Sequence, residues 1–432
     1  MEILKAIGRK KELRQKLIVT ALLLLLVNAL PGIPTPGINA EALRSMVESS
    51  SALGILRVIN GAGLGNASLT FLSISPYITA SIIVELMTIV IPSLEEMAKD
   101  GEVGREQFKR VIFIVGIVMA ALQASAVAIG FSRKGFLVSR EWYWILCVAA
   151  CWTLTSVLLQ VVGDIWIEKK GIGKGISLIL LCNILSSYPS DAYSVYQKFI
   201  EGKQIGQAIL SGVLIIVFFL GLFAFTITVQ ETEKRFPVQY SAKLGGRIAG
   251  NRSYFPYKLW SGSVVPIIFS QSLMSMPAII AALAGKENIW WINMLNSARW
   301  FESSHPSYTI GAIIYIALIF LFSFFYTNIV INPIEIADNL KRSGGTLIGI
   351  RPGTPTTEYL RRKTKMVIGI GAAALCIIGL IPCILAGVFG MSRIAFASTS
   401  IIITVSVLIE MRDHILSEIQ IELHHTKLHG VF

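Results

Sequence analysis

The apolar residues of this chain are gathered into long runs bounded by Lys, Arg, Pro and Gly, and that pattern leaves few choices of solvent. A run of about 15 to 25 apolar residues is the length that crosses a hydrocarbon core as a helix. Ten runs qualify as spans: Leu17 to Leu30, Ser73 to Ile91, Val111 to Phe131, Trp142 to Val162, Ile172 to Tyr188, Gly206 to Val229, Leu259 to Leu283, Tyr308 to Ile331, Met366 to Ala386 and Ile394 to Ile409. The first, fifth and tenth are short. With 54% hydrophobic and only 15% charged residues among 432, the chain carries an apolar surplus that a water-soluble domain has no place to bury.

An even number of spans puts both termini on one side. Counting Lys and Arg in alternate connections gives 28 on the side of the N-terminus and 10 on the other, so the positive-inside rule makes the termini cytoplasmic. The same rule accounts for the net charge of +12 without nucleic acid. The expected organisation is a cytoplasmic amphipathic N-terminus (1–16), a first half with five spans (17–190), an external hinge (191–205), a second half with five spans (206–410) and a cytoplasmic tail (411–432). Two halves of five spans suit an inverted repeat about an axis in the membrane plane, although no sequence repeat joins them. Two cytoplasmic loops, 230–258 and 332–365, are long, basic and rich in turn formers; topology alone explains their charge but not their length, which favours docking. Because no small-residue cleavage site follows the first run, it is expected to stay as a membrane helix.

Between the first two spans, Ser51 to Leu72 is too apolar for an exposed loop, yet too rich in Gly61, Gly63, Gly65, Asn60, Asn66 and Arg57 for a span. Irregular backbone at membrane depth is tolerated only where protein or a water-filled cavity satisfies it, so this segment implies an internal cavity; a packed external loop is the alternative. Ile74 and Ile78 stand four apart near Pro76, and Leu180 and Ile184 repeat the spacing, which alone is ordinary helix packing.

The string Pro76-Tyr-Ile-Thr-Ala-Ser-Ile-Ile resembles the second helix of the SecY family of protein-translocation channels. Pro34-Thr-Pro-Gly-Ile-Asn, Gly171-Ile-Gly-Lys-Gly-Ile-Ser, Asn332-Pro through Ala337-Asp-Asn-Leu-Lys, and Gly349-Ile-Arg-Pro-Gly353 are similar to further family signatures in the same order. The resemblance implies an all-α polytopic membrane protein of ten transmembrane helices in two inverted halves, with a plug half-helix at about 57–68 and a lateral gate to lipid. It implies a pore ring of Ile74, Ile78, Leu180, Ile184, Ile268 and Ile403, a plug containing Arg57, Asn60, Gly61, Gly63, Gly65 and Asn66, and a gate along Thr79, Gln123, Ser272 and Met276. Lys243, Arg247, Lys341, Arg342 and Arg351 are the implied docking residues.

The implied partners are the membrane subunits SecE and SecG, the ATPase SecA or a translating ribosome, and signal peptides and unfolded preproteins as clients. The implied location is the bacterial cytoplasmic membrane. The chain departs from the family pattern at Glu85, where Gln is common, at Ala397-Ser-Thr-Ser400, which replaces a Gly-Gly-Thr-Ser string, and at Asn28-Ala29, where an Arg-containing pair is usual. An accessory paralogue with few substrates would suit these departures.

An ion-coupled solute transporter, the rival from another class, needs buried ionisable groups, and the spans offer only Glu85, near their cytoplasmic end. Neither Gly61-Ala-Gly-Leu-Gly65 nor Gly171-Ile-Gly-Lys-Gly175 belongs to a phosphate-binding motif, and no nucleophile–base pair stands out, so neither an enzyme nor a cofactor is expected. No metal is assigned either: Cys147, Cys151, Cys182, Cys376 and Cys383 lack ligand spacing, and His424, His425 and His429 read as a solvated tail.

Overall fold

A computed structural model describes residues 11–39, 67–139, 141–240, 252–258, 265–283, 289–301, 305–330, 332–389 and 397–429. The elements in chain order are α1 (Lys11–Ala29), α2 (Ser75–Met87), α3 (Pro92–Lys99), α4 (Gly101–Lys134), α5 (Trp142–Val161), α6 (Gly175–Phe199), α7 (Ile205–Glu231), β1 (Glu233–Tyr240), β2 (Arg252–Lys258), α8 (Val265–Leu283), α9 (Trp290–Leu295), α10 (Ile310–Val330), α11 (Pro333–Arg342), β3 (Gly345–Leu347), α12 (Thr354–Phe389) and α13 (Ala397–His429). Each of the ten apolar runs overlaps one of these helices, most of them long.

Among the described residues, six helices are long and apolar enough to cross a membrane alone, and α2 joins them when taken with α3. The short runs belong to longer helices: α6 continues through Pro189, and α13 continues past its last apolar residue into a polar extension. The protein is a multi-pass helical membrane protein.

The run expected to end at Ile91 breaks earlier. Helix α2 stops at Met87, and α3 leaves at 110° to it. Pro92 at the start of α3 pushes the preceding Ile91 out of the helical region, to φ −108° and ψ 103°. A second corner follows at Gly101, whose φ of +52° glycine adopts without steric cost. Hydropathy sees Ile89, Val90 and Ile91 as membrane residues; it does not see that the backbone has turned.

By its internal contacts the chain divides into two units. The first comprises Met1–Lys198, Pro277–Ile292 and Val407–Phe432. Here α4 packs against α2 and α5. Its Ala120, Ala124 and Ala128 are fully buried at steps of four, and Gly116 precedes them one turn earlier. Such a stripe of small side chains lets backbones approach closely where lipid removes the hydrophobic drive for association. Above the stripe, Phe71, Phe131 and Trp152 form an aromatic cluster: Phe71 stacks on Trp152 with centroids 4.6 Å apart, and Phe131 meets both edge-on. The Trp152 indole donates to Thr35 Oγ1 at 3.0 Å and lies 3.3 Å from the Ser68 carbonyl oxygen.

The Gly171–Gly175 string is a packing joint. The Ile172 amide donates to Thr20 Oγ1 of α1 at 3.0 Å, Gly173 takes φ +86°, and Gly175 lies so close to the Gly163 backbone that a Cβ would meet its carbonyl carbon at 2.7 Å. Gly163 belongs to a π-helical turn, Val162–Ile167, that continues α5. Leu13, Ile172 and Ile415 form a small core, flanked by the ion pairs Lys16–Glu418 at 2.8 Å and Lys174–Glu410 at 2.6 Å.

The second unit comprises Phe199–Met276 and Asn293–Ser406. Helices α10 and α12 pack together, with Gly379 close against the Tyr315 ring. The two long loops contribute a three-stranded antiparallel sheet of order β2-β1-β3. Phe236, Val238, Tyr257 and Leu347 of the sheet share a core with Ala337 and Leu340 of α11 and Leu360 and Val367 of α12. A loop region with its own core presents a fixed surface, which a merely solvated loop does not.

Candidate functional site

Of the residues implied for the constriction, Ile74, Ile78, Leu180 and Ile184 belong to the first unit and Ile268 and Ile403 to the second. In the first, Ile74 and Ile184 are fully buried, Leu180 is buried and Ile78 is half-buried. Ile74 is the residue on which α2 is founded: its carbonyl accepts from the Ile78 amide at 3.1 Å, so the two side chains rise from one face of the first turn. Leu180 and Ile184 occupy the corresponding spacing on α6.

The backbones that carry Ile74 and Ile184 are joined through their preceding residues, because Asn183 Nδ2 donates to Ser73 Oγ at 2.9 Å. Ser156 Oγ of α5 donates to the Ser73 carbonyl at 2.8 Å. Ser73 has φ +44°. These three polar residues were missed by the sequence reading; the signal for two of them was a hydrogen-bonding side chain inside an apolar run, where polar groups need internal partners. In the second unit, Ile403 is buried and Ile268 half-buried. Gln230 Nε2 of α7 reaches toward the neighbouring Ile402 carbonyl at 3.4 Å.

Of the implied gate residues, the structure brings Thr79 and Gln123 together: Gln123 Nε2 of α4 donates to Thr79 Oγ1 of α2 at 3.3 Å. The Thr79 hydroxyl in turn donates to the Ser75 carbonyl at 3.0 Å. Ser272 is half-buried and Met276 exposed, both on α8 of the second unit. Glu85 receives a hydrogen bond from Ser81 one turn back, at 3.1 Å to Oε1. Its Oε2 is buried with no hydrogen-bond partner among the described residues.

The implied plug residues Arg57, Asn60, Gly61, Gly63, Gly65 and Asn66 lie outside the described residues, as do Lys243 and Arg247. Ala67 and Ser68, at the end of the plug segment, are described, and the chain there is stitched to the stretch that follows α1: the Thr35 amide donates to the Ala67 carbonyl at 2.9 Å and the Leu69 amide to the Ile33 carbonyl at 3.0 Å. Lys341 and Arg342, in the last turn of α11, are exposed, and so is Arg351 before α12. The Arg351 carbonyl accepts from Thr356 Oγ1 at 2.8 Å, which ties that turn to the start of α12.

Helices long and apolar enough to cross a membrane, with a basic loop region that has its own sheet and core, define a polytopic membrane scaffold. Solved structures share the fold. A protein-conducting channel aligns with a TM-score of 0.64 at 16% identity, over 95% of this chain and 93% of its own. Sec61 from the canine ribosome–channel complex of the endoplasmic reticulum aligns at 0.60 and 16%, with the same coverage.

The SecY family model matches residues 68–412. The protein translocase subunit SecY of Aquifex aeolicus is 34% identical over 425 residues, covering 95% of both chains. That of Halalkalibacterium halodurans is 33% identical over 386 residues, covering 87% of both. The chain belongs to the SecY family.

Proposed function

We propose that this chain is the pore subunit of a protein-translocation channel, passing unfolded polypeptides across the cytoplasmic membrane of a bacterium and releasing apolar segments sideways into lipid. The observation that carries the reading is similarity to translocase subunits along nearly the whole of both chains. A channel of this kind moves its substrate without chemical change, so no catalytic residue, cofactor or metal is assigned.

In this reading Ile74, Ile78, Leu180, Ile184, Ile268 and Ile403 are the constriction. Aliphatic side chains offer nothing to replace an ion's hydration shell, so the ring dewets and holds back ions. They also bind no peptide sequence strongly, so chains of any composition slide past. Residues 57–68 are the plug that fills the closed pore. Thr79, Gln123, Ser272 and Met276 line the lateral gate. A client segment with a dozen leucines gains roughly 4 to 7 kcal/mol at membrane depth while one central Asp loses about 3, so a side opening sorts clients by partition.

The halves 17–190 and 206–410, joined by the external hinge 191–205, are the two bodies whose separation opens the pore, and both termini are cytoplasmic. SecE and SecG are the membrane partners. Lys243, Arg247, Lys341, Arg342 and Arg351 receive SecA or the ribosome, a role supported by the hydrophobic core beneath the two loops.

The test is reconstitution with SecE and SecG in vesicles, supplied with SecA, ATP and a preprotein. The expected result is ATP-dependent protection of the preprotein from external protease, and crosslinking of an arrested chain to Ile268 and Ile403. Absence of protection with a functional SecA, or crosslinks confined to lipid-facing positions, would sink the proposal.

A further inference from the structure

Ser73 stands at the entrance to α2 with φ +44°, a left-handed conformation that brings its Cβ against the following carbonyl oxygen and that glycine ordinarily supplies. What holds a side-chain-bearing residue there is visible. Asn183 Nδ2 donates to its hydroxyl at 2.9 Å and Ser156 Oγ to its carbonyl at 2.8 Å. The three residues are 2%, 7% and 1% exposed, so water offers no ready replacement for a lost partner. Three segments distant in sequence, the start of α2, the middle of α5 and the middle of α6, meet at one strained residue.

We infer that Ser73, Asn183 and Ser156 are positioning residues: a hydrogen-bonded latch that holds the Ser73 backbone and so aims Ile74 into the constriction beside Ile184, an inference that rests on the pore reading above. Ile74 follows Ser73 and Ile184 follows Asn183, so the bond from Asn183 acts beside both aliphatic side chains, by holding Ser73 in its left-handed φ. The left-handed φ sets the direction in which the chain enters α2. If Ser73 relaxes to an ordinary φ, Ile74 is re-aimed and the Ile74–Ile78 face turns with it. The latch is polar and local while the ring is apolar and non-specific, so position is enforced without giving the pore a group that binds its client.

A latch of this kind permits a rescue that packing alone does not. Asn183→Ala removes the donor and leaves Ser73 strained; loss of a buried hydrogen bond moves a closed–open equilibrium by about tenfold, and ion leak through vesicles holding the channel with its SecE and SecG partners rises accordingly. Ser73→Gly adopts φ +44° unaided and stays ion-tight. Ser73→Gly combined with Asn183→Ala therefore returns to the parent leak. Ser156→Ala, which keeps Asn183, leaks by a smaller factor and serves if Asn183→Ala fails to fold.

Ile184→Gly is the reference. If it leaks while Asn183→Ala and Ser156→Ala stay tight, the latch is refuted and the pore reading stands. If the double variant leaks as much as Asn183→Ala alone, the backbone of Ser73 is not what Asn183 controls, and the latch is again refuted. If Ile184→Gly itself stays tight, the ring assignment falls, and the latch with it.

Discussion

Trp152 ties Thr35 to Ser68 at the end of the proposed plug segment, and removing its indole N–H tests whether that junction matters. Phe keeps the stacking on Phe71 but loses the hydrogen bond to Thr35 Oγ1 at 3.0 Å and the longer contact to the Ser68 carbonyl at 3.3 Å. Thr35 and Ser68 are 3% and 0% exposed, so water does not readily replace the donor. The expected cost of Trp152→Phe is about 1–3 kcal/mol, toward the low end if the unfolded state in lipid finds other partners. Trp152→Ala also leaves a cavity, and large-to-small changes of this kind cost about 3–5 kcal/mol.

The decisive measurement is a double-mutant cycle of Trp152→Phe with Thr35→Val, read by detergent-titrated unfolding of the purified protein. A coupling near 1 kcal/mol is expected, because each single change already destroys the shared bond. Additivity within about 0.3 kcal/mol would refute the bond as a stabilising contact. Since the indole also contacts the Ser68 carbonyl at the end of the proposed plug segment, Trp152→Phe should also raise ion leak in vesicles.

Gly175→Ala places a methyl group 2.7 Å from the Gly163 carbonyl carbon, backbone against backbone with no side chain to yield, and should lower stability by about 2–3 kcal/mol in thermal unfolding, whereas alanine at the open Gly206 should not. Arg351→Glu, at an exposed position, should change stability by no more than about 0.5 kcal/mol while reducing SecA- or ribosome-driven export several-fold; normal export would remove that residue from the docking surface. Ile89 and Val90, 64% and 73% exposed at the corner after α2, should lie in the lipid interface: an environment-sensitive dye on Val90→Cys, with the other reactive cysteines replaced, should be quenched by lipid-borne quencher and not by aqueous iodide.

What could be read from sequence and what could not divide along physical lines. Most of the spans were legible because a helix in lipid must be apolar over its crossing length, a demand that six of the described helices meet by themselves without reference to their neighbours. The loop sheet was not, and two prolines explain why. Pro237 sits inside the central strand β1, and Pro256 inside β2, where a missing amide argues against a strand. Strand β1 survives because β3 is only three residues long and pairs only with Val238 to Tyr240, so Pro237 is left out of that ladder. The alternation of Phe236 and Val238 toward one core was present but masked by that signal.

The pore ring poses a different difficulty. Aliphatic residues four apart in a membrane helix carry no mark of their role, and the same lack of chemistry that would let a ring pass any client leaves nothing for a motif to record. Only resemblance could point to Ile74 or Ile184. The polar atoms beside them are where the individual character of this chain shows: Ser73, Ser156 and Asn183 are each unremarkable in a list of residues, yet a left-handed serine is held by two donors from different helices. An apolar ring can tolerate exchange of one aliphatic for another, because shape there is approximate. Neither buried donor should be replaceable while serine stands at position 73, and glycine there is the change that frees the other two.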